Sequence, residues 1–576
     1  MSGTLALAAA LAAMDRGTLA AVVERRRPQA ISGITDPIGL ASELLRADSV
    51  ERAIAPLERD DLAALLQPET AAEEVRDRLL GLGLLGWDEG SAAPLPEVAA
   101  ALTASLDRVG LSPDSLRNDH VSEPPGTTDT ASWYVAALTA LGTAAEVLRA
   151  LRTQPGRLNR TGTVAVATVK SLAEATRIDV DRTGDAVQAL LDARLLVPAA
   201  QLTLLSWSPA TADWLELGAP DRWVALGAAA VAAMPPQLRR LLEERDLEGS
   251  LAALRDRYPL LPASTEAAAR RFGRIAEHLG LAVDGALGEA GRALLADDLD
   301  AARAIAERDM PAPVAGVYIQ PDLSVVVPGP LAPSDEAALA ALTVPEQTGI
   351  ASTRRITEAS IAAALERGFD AAGARSAFER LSLTGIPQPL DYMLASIAER
   401  IRGIVVREHS GDEGRTRLDI SRPELRETLL VDRALHHLQL AQGEEPSALY
   451  SRLRADHVFA ALGDARYTAS FEGAADSPLV NPAPEPRTTE LPDELAQLVD
   501  RVHSAVRSEP GAGGFARRLE LAIRDRSTVR VTASAQGRTH VFTLLPTSLD
   551  AGRLRATDPG AGVERTLPIS TITAVE

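Results

Sequence analysis

A chain of 576 residues with 46% apolar side chains can hold roughly three to five domains, each with a core of its own. It contains no cysteine, which excludes a disulfide framework, a thiolate metal site and a cysteine nucleophile, and fits a reducing cytosol. The formal charge of −20 excludes a protein that coats nucleic acid with clustered cations, but not a local basic patch.

The apolar run 5–13 has no basic segment before it and breaks at Asp15-Arg16, so it reads as an amphipathic helix, neither a signal peptide nor a membrane span. No later stretch reaches the length of a span. Residues 1–117 read as helices, with a stop at Arg27-Pro28, starts at Thr35-Asp36-Pro37 and Arg59-Asp60-Asp61, and a strand pair around Asp88-Glu89-Gly90. Residues 118–130, with Pro124-Pro125-Gly126, form a linker. Within 131–217, helices over 164–176 and 181–193 precede strands over 195–197 and 202–207, the order of a winged helix-turn-helix. The second helix sets Asp181, Asp185 and Asp192 against Arg182 and Arg194, so it suits a protein contact better than a DNA groove. Residues 218–310 repeat helix, strand, turn and helix, a third winged-helix-like unit.

The stretch 314–420 organises the rest. Val317-Tyr318-Ile319-Gln320 reads as a strand, Pro321-Asp322 as a turn and 323–327 as the return strand. A helix capped by Thr357 buries Ile361, Ala364 and Leu365 and stops at Gly368. A second, capped by Asp370, buries Ala374, Ala377, Phe378 and Leu381 and stops at Thr384-Gly385-Ile386-Pro387. A third follows Pro389 through Tyr392, Leu394 and Ile397, and strands over 404–408 and 415–420 flank a polar turn. Helices are expected over 423–440 and 447–462. The proline-rich segment 473–493 is a linker, followed by helices over 494–507 and 516–525 and strands over 528–533, 540–545, 553–556 and 564–568.

These residues also carry resemblances. Tyr318-Ile319-Gln320-Pro321-Asp322-Leu323-Ser324-Val325-Val326-Val327, Ile356-Thr357-Glu358-Ala359-Ser360-Ile361 and Leu381-Ser382-Leu383-Thr384-Gly385-Ile386-Pro387 resemble the N-terminal domain of XPB-type DNA helicases. The same module recurs in the TFIIH subunit that docks on XPB and in a bacterial, chiefly actinobacterial, family of helicase-associated proteins. Near the C-terminus, Ala522-Ile523-Arg524-Asp525-Arg526-Ser527-Thr528-Val529-Arg530, Gly552-Arg553-Leu554-Arg555-Ala556 and Ile569-Ser570-Thr571-Ile572 resemble a WYL-type domain, an SH3-like small β-barrel of bacterial regulators. The aromatic residues of that domain's name motif are missing here.

Motifs for chemistry are scarce. Lys170-Ser171 is the only Lys-Ser pair, and Val169 stands where a phosphate loop needs glycine, so no working helicase ATPase is expected. Ser334-Asp335-Glu336-Ala337-Ala338 resembles a DEAH box, but Ser334 as a helix cap with acids in the first turn accounts for it. Gly511-Ala512-Gly513-Gly514-Phe515-Ala516 matches a dinucleotide loop yet follows no strand, and reads as a hinge. His436-His437 point to different sides of a helix, so no shared metal is expected.

The fold class expected is mainly α with small β elements (α+β). Its units are winged-helix-like 1–117, 131–217 and 218–310, the XPB-like module 314–465, a linker 466–493 and a WYL-like barrel 494–576. The function expected is a non-catalytic, cytoplasmic or nucleoid-associated adaptor for an XPB-like helicase or another DNA-repair protein, binding DNA only weakly alone and requiring no cofactor, metal or membrane. Candidate contacts in the module are Arg354, Arg355, Arg402, Arg407, Arg415 and Arg417, where 354–419 holds ten arginines and ten acids. Candidates in the C-terminal unit are Arg524, Arg526, Arg530, Arg553 and Arg555, where 515–576 holds nine arginines and six acids. The alternative is a DNA-binding transcription regulator whose C-terminal barrel senses a ligand or strand end. A hydrolase with dispersed residues is the third class.

Overall fold

The computed structural model describes the chain except residues 1–2, 89–90, 118–127, 199–202, 367–368, 370, 402, 444, 466, 468, 473–492, 508–511, 525, 536–537 and 576. The expected stop at Gly368, the cap at Asp370, the candidate Arg402 and nearly all of both linkers therefore lie outside the described residues. The element content is mixed α and β, with helices dominant and strands in small sheets.

In the first unit, Asp15 caps helix α1 (Arg16–Arg26) by accepting the Thr18 amide at 3.0 Å, and Arg27 ends it in a left-handed conformation ahead of Pro28. Leu19, Val22 and Val23 face inward at helical spacing. They belong to an apolar core that runs from Leu5 to Leu116 and resumes at Leu495, so the first and last units share one interior.

The second core runs without a break from Trp133 to Met310. Helix α2 (Trp133–Thr153) leads into strand β1 (Gly156–Arg157), helices α3 (Val166–Thr176) and α4 (Val180–Asp192), and strands β2 (Leu196–Pro198) and β3 (Leu204–Trp207). The strands form an antiparallel sheet in the order β1-β3-β2. By length and composition α2 passes for a membrane span, contrary to the expectation that no stretch would. It is a core helix instead, largely buried and carrying Glu146 and Arg149. The acidic helix α4 packs against α2, α5 (Ala219–Ala232) and α6 (Ala263–His278), with Asp185 3.5 Å from Arg274. The Trp133 and Trp223 rings pack tilted at 51° to each other, with centroids 4.6 Å apart. Gly280, at φ +70°, lets the chain pass so closely that a Cβ there would lie 2.3 Å from the Trp133 carbonyl oxygen.

The module follows after Pro311 and Pro313. Strands β4 (Tyr318–Ile319) and β5 (Ser324–Val327) form the expected hairpin. Helix α7 (Pro333–Leu342) starts with Pro333 in its first turn after Ala332, so Ser334 lies inside the helix and does not cap it. An unexpected hairpin, β6 (Val344–Gln347) and β7 (Ser352–Arg355), completes an antiparallel sheet in the order β6-β7-β5-β4. Thr357 caps α8 (Glu358–Glu366) by accepting the Ser360 amide at 3.0 Å. With α9 (Ala371–Leu381) and α10 (Gln388–Ile401), this helix closes a core around the fully buried Phe378.

A separate core spans 404–469, under the sheet β10-β11-β9-β8-β12 formed by β8 (Ile404–Glu408), β9 (Thr416–Ile420), β10 (Ala441–Gln442), β11 (Ala448–Ser451) and β12 (Ser470–Glu472). Two expectations fail here. The segment 423–440 is not one helix: Pro423–Val431 ends at the extended Asp432 and a 3-10 helix follows. The segment 447–462 starts as β11, all four residues buried and paired with β9, because a vacant sheet edge outweighs helix propensity.

The last unit begins with α11 (Asp493–Arg507), whose Leu495, Leu498, Val499 and Val502 join the first unit's core. Asp500 meets Arg16 at 2.7 Å, and Arg501 donates to the carbonyls of Ile31 and Ile34. Helix α12 (Ala512–Arg524) has Gly513 and Gly514 in its first turn, so the expected hinge there is helical; Gly511 lies outside the described residues. The strands β13 (Val529–Ala535), β14 (Arg538–Asp550), β15 (Arg553–Asp558), β16 (Val563–Pro568) and β17 (Ile572–Val575) form an antiparallel sheet in the order β16-β15-β14-β13-β17. β14 pairs with β13 along its first half and β15 along its second, changing partner beside the bulge at Pro546.

Candidate partner interface

The motif segments 318–327 and 381–387 meet on one surface of the module. Val317 donates to the Leu381 carbonyl at 2.8 Å, the Leu383 amide to the Val317 carbonyl at 2.9 Å, and Thr384 Oγ1 to the Ile319 carbonyl at 3.4 Å. Gly316 permits this approach, since a Cβ there would lie 2.3 Å from the Leu381 oxygen. In the hairpin turn, Asp322 accepts from the Ser324 amide and hydroxyl, bonds that hold its carboxyl below the usual range, and Leu323 takes a left-handed φ of +66°. Between Tyr318-Ile319-Gln320-Pro321 and Thr384-Gly385-Ile386-Pro387 lies a groove of about 490 Å³. Tyr318 and Leu383 are close to half exposed, and Tyr392 on α10 is 77% exposed. Of these, Tyr318 lines the groove, and an exposed aromatic side chain beside a groove is a surface that partner binding uses.

The arginines divide sharply. Arg354 is only 9% exposed, donating to Glu146 at 2.8 Å and to Thr343 Oγ1 at 2.6 Å, so the expectation that it contacts a partner or phosphate is corrected. Arg355 holds Glu346 at 2.5 Å, Arg407 lies 3.3 Å from Asp419, and Arg417 bridges Asp419 at 2.7 Å and Glu445. The hydrogen bonds that Arg355 donates to Glu346 and Arg417 to Asp419 raise the pKa of both arginines. Arg415 is exposed, with no ion pair to any described residue. In the last unit Arg524, Arg526, Arg530, Arg553 and Arg555 are all exposed, and Arg526, Arg530, Arg553 and Arg555 form no ion pair with described residues. In β13 and β15 the outward arginines alternate with the buried Val529, Val531, Leu554 and Ala556, as a one-sided sheet requires.

Sequence reasoning missed an ionic chain between the second core and the module, buried at Arg354 and Glu146 and part-buried at Arg149 and Glu336. From Arg354 it continues through Glu146 to Arg149 at 2.9 Å, to Glu336 at 2.8 Å and to Arg222 at 2.7 Å. Burial works to raise both carboxyls, but Arg354 and Arg149 beside Glu146, and Arg149 and Arg222 beside Glu336, outweigh it and hold both below the usual range. Glu336 is the second acid of the DEAH-like stretch. Its partners lie 114 and 187 residues away, so no local spacing could have found them. Among the described residues no group of three or more metal-ligating side chains is found.

A family described as helicase conserved C-terminal domain matches residues 317–444, which covers the sheet β6-β7-β5-β4 and strands β8, β9 and β10 of the second sheet, but not β11 or β12. No curated protein sequence matches the chain. The chain therefore carries a helicase-related segment covering about a fifth of its length.

Proposed function

We propose that the chain is a non-catalytic adaptor that docks an XPB-type DNA helicase, or a related repair enzyme, through the module face between Tyr318 and Tyr392. The observation that carries this reading is the meeting of two motif segments, 65 residues apart at Ile319 and Thr384, around one exposed groove. The segment's likeness is to helicases, yet the sequence lacks the glycine-lysine pair that holds a nucleotide phosphate, and the sheet β6-β7-β5-β4 is antiparallel throughout. Phosphate loops stand where a parallel strand feeds a helix, so these features favour association with a helicase over helicase chemistry. On this reading 131–217 is a winged helix used for protein contact, 494–576 is an SH3-like barrel of WYL type, and the cysteine-free chain acts in the cytoplasm.

The test is a pull-down of the purified chain with the XPB-like helicase of the same organism, followed by the helicase's DNA-stimulated ATPase rate. The reading expects binding that is lost with Tyr318→Ala/Tyr392→Ala and a changed ATPase rate; neither binding nor a rate change would end it. A second reading, a DNA-binding regulator, draws on the exposed Arg526, Arg530, Arg553 and Arg555, which form no ion pair with described residues. It expects tight, salt-sensitive DNA binding by the chain alone.

A further inference from the structure

The ionic chain lies where two independently cored bodies meet. Glu146 and Arg149 stand on α2 and Arg222 on α5, whereas Glu336 stands on α7 and Arg354 on β7 of the module. The apolar cores of the two bodies form separate clusters, with Ile350 the module residue packed against the second core. Cavities of about 110 and 670 Å³ flank the ion pairs on either side, and Glu146 lines both. The covalent connection is the short segment 310–317, containing Pro311 and Pro313.

From this we infer that Arg354, Glu146, Arg149, Glu336 and Arg222 form a latch that holds the module against the 131–310 body and releases it as a unit by rotation about residues 310–317. The three inner members each serve two partners: losing Glu146 strands Arg354 on the module and Arg149 on the other body, and losing Glu336 strands Arg149 and Arg222 together, so the chain opens cooperatively. Opening rehydrates three guanidiniums and two carboxylates together, which gives the interface two discrete states instead of graded loosening. The inference rests on this geometry alone and is independent of which partner the module docks.

The absence of native cysteine allows a direct test. Val166→Cys on α3 and Tyr392→Cys on α10, at residues 68% and 77% exposed, take a spin-label pair with one label on each body. The doubly labelled full chain should show one dominant distance. Adding Glu336→Gln should populate a second, longer distance, shifting the closed-to-open ratio by about a hundredfold or more. One unchanged distance in a folded Glu336→Gln chain would overturn the latch and leave the ion pairs as static glue. If that variant does not fold, raising the salt concentration on the doubly labelled, otherwise unaltered chain decides: growth of a second, longer distance supports the latch, and one unchanged distance at every salt concentration refutes it.

Discussion

Arg354 and Arg355 are adjacent in sequence and equivalent as surface candidates, yet their truncation should have very different effects. Arg354→Ala removes a guanidinium 9% exposed and leaves Glu146, whose side chain is 10% exposed, with Arg149 alone. Breaking a buried pair on one side costs about 3–5 kcal/mol, because the remaining charge stays desolvated. Arg355→Ala breaks a pair with Glu346 whose side chains are 39% and 23% exposed, worth at most about 1 kcal/mol. For a cooperative unit of this size each kcal/mol moves Tm by roughly 2–4 °C, so Arg354→Ala should lower the module's transition by roughly 6–20 °C and Arg355→Ala by a few degrees at most. Thermal unfolding followed by far-UV circular dichroism reads every unit, whereas tryptophan fluorescence reports chiefly on 131–310, which holds Trp133, Trp207, Trp214 and Trp223. Equal small shifts for Arg354→Ala and Arg355→Ala, or loss of DNA binding by Arg354→Ala at unchanged stability, would refute the burial of this side chain.

Three other outcomes are expected. Gly316→Ala drives a Cβ into the Leu381 carbonyl oxygen, so it should cost about 1–3 kcal/mol and abolish the helicase pull-down while the tryptophan signal of 131–310 stays native. Burial, with Arg182 beside it, pushes the His278 imidazole down to about 4. Since the unfolded chain takes up that proton near pH 6.5, this contribution to stability is complete above pH 6.5 and falls as pH drops toward 4. Denaturant titrations should show His278→Gln removing up to roughly 3 kcal/mol of that dependence. If the regulator reading holds, Arg530→Ala, Arg553→Ala and Arg555→Ala together should flatten the salt slope of duplex DNA binding by roughly 0.9 per arginine, measured by fluorescence anisotropy.

Local signals in the sequence determined the β4-β5 hairpin and the helices α8, α9 and α10 of the module, though not its β6-β7 hairpin or the strand β11. Thr357 caps where a threonine before a helical apolar pattern should, Pro321-Asp322 turns the hairpin, and Ile361, Phe378 and Leu394 repeat at the spacing that buries them. Such signals act within a turn or two of chain, so one sequence displays them. Tertiary structure alone decided what those elements meet. The segment 448–451 becomes a strand only because β9 offers an edge, and α11 completes the core of a unit nearly 500 residues earlier in the chain, as its Arg16–Asp500 pair shows. The fate of each arginine was equally hidden. Arg354 and Arg553 look alike as letters, but one finds Glu146 across 208 residues in a desolvated interface and the other points off an antiparallel sheet into water. Charge pairing depends on which surfaces pack together, and packing is set by the whole chain at once.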